Sequence, residues 1–331
     1  MRMSRIIILS FMLCLLIGIT LISLCIGENG IDISYLRSIA DSSYDETQHL
    51  IITQLRLPRT LLALSVGGLL GFSGIVLQTL FRNPLVEPYT LGISGGSLLG
   101  VALCISLELT QVFGVFSTML FAIIGAITTV FIVLSTISRH KSDTYSMLLT
   151  GIMISISSGA FTTLLISIST REQMTCIISW SIGSLESTMP WQSIAGCIIT
   201  TLLFIVSHLF GNNMNGLLLG RNTAHSLGIN IRVAIPFLFV ISSIATAFCV
   251  SIVGMIAFIG MIVPHIIRTT IGSDQRIALP AGIMTGALVL LSCDIIARHI
   301  IYPRELPVGV VTGIIGGVIF IWINHKQRHS A

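Results

Sequence analysis

Two short motifs in this chain could supply a serine nucleophile. Gly71-Phe72-Ser73-Gly74 and Gly92-Ile93-Ser94-Gly95 both match the G-x-S-G pattern of serine proteases that cut within membranes. Such a serine needs a histidine to take its proton. The histidines that can be proposed are His208, His265 and His299. A four-residue pattern is weak evidence in a chain with 30 glycines, so a protease that uses Ser94 is an alternative only.

A second candidate for chemistry is the pair Asp294 and Arg298, which lie four positions apart within an apolar run. On a helix this spacing places both side chains on one face, where they can form an ion pair. Ionisable groups at membrane depth are costly and are usually paired or functional. A secondary transporter concentrates its coupling ions on midplane carboxylates, and Asp294 is the plausible candidate for that role. A secondary transporter therefore stays open as an alternative.

Motifs for metal binding and ATP hydrolysis are missing from the sequence. The seven cysteines show no C-x-x-C and no paired spacing, so we interpret them as packing residues and expect no metal site and no cofactor. A phosphate-binding loop needs a lysine directly after a glycine. The two lysines, Lys141 and Lys326, both follow histidines. If ATP drives this protein, another subunit must hydrolyse it.

The composition indicates the kind of structural element that holds these residues in place. The 331 residues include 9% charged and 53% hydrophobic residues, with a mean hydropathy of +0.98, whereas soluble domains carry about 25% charged residues. Apolar runs near the length of about 20 residues needed to span a bilayer recur along the chain. They predict an all-α, polytopic membrane protein with about ten transmembrane helices. The predicted spans are 6–26, 60–81, 91–107, 113–137, 144–168, 191–210, 233–253, 255–271, 279–300 and 307–324.

Basic residues predict the orientation of the spans. Cytoplasmic loops of membrane proteins are enriched in Lys and Arg. With both termini in the cytoplasm, eleven of the 17 Lys and Arg residues fall on the inner side. The turn Arg139-His140-Lys141 and the tail from Lys326 to His329 contribute most to this assignment.

Two segments resemble a known family. Residues 56–96, RLPRTLLALSVGGLLGFSGIVLQTLFRNPLVEPYTLGISGG, and residues 254–321 are similar to FecCD-family permeases of bacterial ABC importers. That family carries iron-siderophore complexes, haem and vitamin B12. The resemblance implies one permease domain over residues 1–331, like the vitamin B12 importer permeases, in the bacterial inner membrane. It also implies a transport subunit and not an enzyme.

The resemblance also implies partners and no nucleic acid. The partners are a second permease subunit in a homodimer, two cytoplasmic ATPases and an extracytoplasmic substrate-binding protein. Outward arginines in the family hold glutamates of the binding protein, and the matching residues are Arg56, Arg59 and Arg298. Thr144 and Tyr145 match the cytoplasmic gate, although the family usually has small residues there.

The longest predicted inner loop, residues 211–232, contains a core that suits a short helix ended by glycine. In the resembled family this position is the coupling helix, which sits in a groove of the ATPase. The residues of that core are Gly220, Ala224, Leu227 and Gly228.

Three other features predict local structure. Four glycines, Gly67, Gly68, Gly71 and Gly74, are expected to let a neighbouring helix approach closely. The prolines of the segment 83–88 predict a rigid turn, in which Glu87 is expected to be a solvated carboxylate, with a functional role as the alternative. Pro264 is expected to kink the eighth span.

Overall fold

A computed structural model of the chain describes residues 2–27, 30–31, 49–114, 116–139, 144–301 and 304–328. These residues are helical apart from turns, short connections and one pair of two-residue antiparallel strands, β1 (Ile26–Gly27) and β2 (Gly30–Ile31). The helices are α1 (Arg2–Cys25), α2 (Leu57–Phe81), α3 (Ile93–Ser106), α4 (Leu109–Phe113), α5 (Phe116–Arg139), α6 (Thr144–Ile168), α7 (Arg171–Ile182), α8 (Pro190–Leu219), α9 (Arg221–Ser226), α10 (Ile231–Val253), α11 (Ile259–Thr270), α12 (Gln275–His299) and α13 (Val308–Arg328).

The all-α, polytopic prediction is confirmed. Seven of the described helices are long and apolar enough to cross a membrane, and α3 and α13 contain shorter apolar segments. Each of the ten predicted spans corresponds to a helix, although α11 has only 12 residues. The predictions missed α7, which carries charged and polar residues in its first turn and lies between the fifth and sixth predicted spans.

Helix α2 forms the centre of the bundle, since every residue from Ser65 to Leu80 is buried. It packs along α12 and against α8, α10 and α11. A β-carbon on Gly67 would clash with the Gly286 carbonyl of α12, and one on Gly71 would clash with the Gly282 carbonyl. In lipid the hydrophobic effect does not hold helices together, so such close backbone contact supplies the packing. The predicted role of these glycines is confirmed.

The eighth predicted span is interrupted before Pro264, not at it. Helix α10 ends at Val253, and its C-cap residue Gly254 has φ +72°. The chain then stays non-helical until α11 begins after Phe258. Helix α11 then continues through the buried Pro264. Phe258 has φ +69°, a left-handed conformation that costs a non-glycine residue free energy. The sequence did not predict this non-helical segment, and the kink at Pro264 stays a prediction.

Candidate functional site

One end of the bundle holds a cluster of charged side chains from three parts of the chain. It consists of Arg56 and Arg59 at the start of α2, Asp294 and Arg298 on α12, and Glu305 before α13, and we call it the arginine cluster. The Arg59 guanidinium donates from Nε and Nη2 to Asp294 Oδ1, at 3.1 and 2.9 Å. Its Nη1 donates to Glu305 Oε2 at 2.6 Å. Arg59 thus bridges a buried carboxylate and one at the surface.

Arg298 approaches the same carboxylate from the other side. Its Nη2 lies 2.8 Å from Asp294 Oδ2, which confirms the ion pair expected from the four-residue spacing. The same Nη2 donates to Ser23 Oγ of α1 at 2.7 Å. Arg56 Nη1 donates to the Leu24 carbonyl at 3.1 Å. Both arginines therefore also attach α1 to the bundle.

The side chains of the arginine cluster differ in their access to solvent. The exposed fractions are 12% for Arg59, 9% for Arg298, zero for Asp294 and 38% for Glu305. All three arginines were predicted from the sequence. Glu305 and Ser23 were not, because neither residue belongs to a motif that predicts this contact.

The opposite end of the bundle contains residues 220–228, which we call the coupling segment. Gly220 has φ +121° and ends α8, and the short helix α9 follows. Ala224 is buried, whereas Leu227 is 61% exposed. Gly228 has φ +81° and its N–H donates to the His225 carbonyl at 2.9 Å. The predicted short helix ended by glycine is confirmed, and Leu227 is left facing outward.

The two predicted gate residues begin α6 on the same side of the bundle as the coupling segment. Thr144 lines a cavity of about 90 Å³ together with Leu80, Arg82, Leu217 and Ile235. Tyr145 is 70% exposed. Residues 140–143, which contain part of the basic turn that supports the predicted orientation, lie outside the described residues.

Glu87 does not behave as the solvated carboxylate expected from the sequence. Its Oε2 accepts a hydrogen bond from the Phe258 N–H at 3.2 Å, and burial raises the pKa of this carboxyl above its usual value. Two residues later, the buried Tyr89 hydroxyl accepts from the Ile256 N–H at 3.0 Å. These two side chains hold the non-helical segment between α10 and α11. That expectation for Glu87 was wrong, because the turn folds back into the bundle.

The serine motifs fill structural roles. Ser94 Oγ donates to the Tyr89 carbonyl at 3.3 Å, and Ser73 Oγ donates to the Ser242 carbonyl at 3.2 Å. His208 and His299 instead contact carbonyls of their own helices, those of Phe204 and Ile295. Neither serine is hydrogen-bonded to a histidine within the part of the chain that the structure describes.

Comparison with known proteins identifies the family. The model of the FecCD transport family matches residues 14–326. The chain belongs to the FecCD transport family. The hemin transport system permease protein HmuU of Yersinia pestis is 36% identical over 336 residues, 99% of this chain and 98% of that protein. The vitamin B12 import system permease protein BtuC of Pectobacterium atrosepticum is 36% identical over 324 residues, 97% of this chain and 94% of that protein.

A solved structure agrees with the FecCD assignment. It is described as an inward-facing conformation of a putative metal-chelate type ABC transporter, and it superposes with a TM-score of 0.86 at 29% identity. The match covers 96% of this chain and 99% of that chain. This FecCD chain is thus a multi-pass membrane protein and a transport component, not an enzyme. Neither the protease nor the secondary transporter gains support from these relatives.

Proposed function

We propose that this FecCD chain is the permease of an ATP-driven importer that carries an iron-siderophore complex, haem or a corrinoid. The observation that carries the proposal is similarity over nearly the whole chain to permeases named for hemin and vitamin B12 import. Residues 1–331 then form one permease domain in a bacterial inner membrane. Two permease subunits, here a homodimer, enclose the path between them.

The proposed importer works by coupled rocking of helices. Two cytoplasmic ATPases close on ATP, and the coupling segment passes their movement to the bundle. The exposed Leu227 and the buried Ala224 support this role, because one side chain is available to a partner and the other anchors α9. Both termini and the coupling segment lie on the cytoplasmic side in this orientation. Thr144 and Tyr145, on the same side of the bundle, form the inner gate.

The arginine cluster then faces outward, where a substrate-binding protein delivers its cargo. We assign docking to Arg56, Arg59 and Arg298, with glutamates of the binding protein as their partners. The grouping of three arginines at one end of the bundle supports the assignment, since complementary charge steers encounter and fixes orientation. Asp294 pairs with both Arg59 and Arg298, and Glu305 pairs with Arg59, so the cluster holds its guanidinium groups in fixed positions.

A transport assay with defined partners tests the function. The chain would be reconstituted in liposomes with its ATPase and binding protein, and uptake of labelled haem, ferric siderophore and cyanocobalamin would be measured with ATP. We expect one cargo class to accumulate. A partner ATPase without its phosphate-loop lysine should abolish that accumulation. Uptake that persists with the disabled ATPase would contradict the proposal and favour a secondary transporter.

A further inference from the structure

Arg82 connects the end of α2 to the end of α8. It follows the last residue of α2 in a left-handed conformation, with φ 49°. Its side chain donates two hydrogen bonds to the Leu217 carbonyl, from Nε at 3.3 Å and from Nη2 at 2.9 Å. A left-handed conformation is uncommon for a residue with a side chain, so the surrounding structure must hold it. Arg82 is exposed, but these two hydrogen bonds hold its guanidinium at a defined point.

The carbonyl that Arg82 binds belongs to the last turn of α8, just before the coupling segment. Carbonyls in the last turn of a helix lack intrahelical donors, and the negative end of the helix dipole favours a cation there. The Gly220 N–H also donates to the Leu217 carbonyl, at 3.3 Å. A β-carbon on Gly220 would lie 3.0 Å from Arg82 Nη2. The first residue of the coupling segment therefore packs directly against the guanidinium of Arg82.

Arg82 also borders the predicted gate. The cavity of about 90 Å³ is lined by one residue from each of α2, α6, α8 and α10 and by Arg82, and the residue from α6 is Thr144. Packed helices move between discrete arrangements rather than deforming continuously. An unfilled space beside Arg82 gives its side chain room to follow α8 without a steric clash.

We propose that Arg82 is a positioning residue that makes α2, and with it the contacting helix α6, follow the coupling segment when the ATPases close. This inference rests on the proposed function, because it needs a coupling segment that is moved by a partner. Without the guanidinium, the coupling segment is joined to the bundle by the packing of Ala224 and by the main chain, through Gly220 to α8 and through Gly228 to α10. A glycine backbone is conformationally permissive, so a movement of the segment would be absorbed there.

The test compares transport with ATP hydrolysis in reconstituted complexes. Replacing Arg82→Ala should lower the cargo transported per ATP about tenfold, which corresponds to about 1.4 kcal/mol of lost coupling. Arg82→Lys should restore part of the ratio, because it keeps the charge but loses the two-nitrogen contact. The matched control is Arg276→Ala, since Arg276 is on the same side of the bundle and pairs with Asp274 at the surface. We expect the control to leave the ratio unchanged.

A second readout reports on the gate. Crosslinking between Thr144→Cys residues of two subunits should depend on nucleotide in the otherwise unaltered protein and lose that dependence with Arg82→Ala. A residue that only supports folding would lower transport and hydrolysis together and leave their ratio intact. That result, or an equal loss in Arg276→Ala, would overturn the proposal.

The outcomes separate the two hypotheses. If the unaltered complex shows no ATP-driven uptake, the proposed function fails. If it transports normally and Arg82→Ala keeps its ratio and its nucleotide-dependent crosslink, only the role of Arg82 fails. Should Arg82→Ala not insert, Arg82→Gln provides a neutral side chain that can still donate to the Leu217 carbonyl. Failure of all three Arg82 variants to insert would make it a folding residue and overturn the proposal.

Discussion

The sharpest prediction concerns Asp294, the carboxylate shared by two arginines. Its oxygens lie 2.9 Å from Arg59 Nη2 and 2.8 Å from Arg298 Nη2, and its side chain has no exposed surface. Replacing Asp294→Asn keeps the shape and one acceptor oxygen but leaves two adjacent guanidinium groups without their common counter-ion. Removing one partner of a buried ion pair costs about 3–5 kcal/mol. Because asparagine can still accept a hydrogen bond, we expect the lower end, about 3 kcal/mol.

The matched control is Glu305→Gln, which makes the same chemical change on the same arginine. Glu305 is 38% exposed, and its ion pair with Arg59 is screened by solvent. Exposed ion pairs contribute about 0–1 kcal/mol, so this variant should lose no more than that. The two variants therefore differ by about 2–3 kcal/mol for the same loss of one carboxylate.

The assay is reversible unfolding in mixed micelles, followed by helix content as denaturing detergent is added. The free energy of unfolding is compared at equal protein and lipid concentrations. Equal losses in Asp294→Asn and Glu305→Gln would refute the reasoning, because burial would then have no effect. A loss below about 1 kcal/mol in Asp294→Asn would also refute it, since the pairing would be no stronger than an exposed one.

Three further predictions follow from the same structure. Replacing Arg56→Glu should slow binding-protein docking, measured by surface-immobilised association at two salt concentrations, and Arg37→Glu should not; equal effects would mean that only general charge matters. Gly71→Ala should reduce the yield of folded protein in size-exclusion chromatography because its β-carbon meets the Gly282 carbonyl, whereas Gly18→Ala, with nothing within 4 Å, should be tolerated; matching yields would contradict the close-packing argument. The hydrogen bond from Asn215 lowers the pKa of Asp274, so the ionised Asp274 stabilises the fold fully above the unfolded pKa of about 3.9, and this stabilisation is lost as pH falls below that value. Asp274→Asn should flatten the stability–pH curve in this range. An unchanged curve would exclude the Asp274 carboxyl as the source of the pH dependence.

The sequence by itself determined the class of the protein and the location of most helices. Hydropathy is a local property, and a helix that crosses lipid needs a run of apolar residues wherever it packs. The glycine spacing on α2 was equally informative, because close helix packing in lipid requires small residues at helical intervals. The coupling segment could be predicted as a short helix because its final glycine supplies the left-handed turn that ends it.

Only the tertiary structure decided which side chains meet. Arg59 pairs with an aspartate 235 positions away, and Glu87 binds the N–H of Phe258, 171 positions away. No periodicity reveals such partners, because apolar helices carry little information about their neighbours. Arg82 is one of the basic residues that the predicted orientation places on the inner side, and its contact with the Leu217 carbonyl follows from the way α2 lies beside α8. Local chemistry thus determined the elements, and helix packing determined the partners of their charged residues.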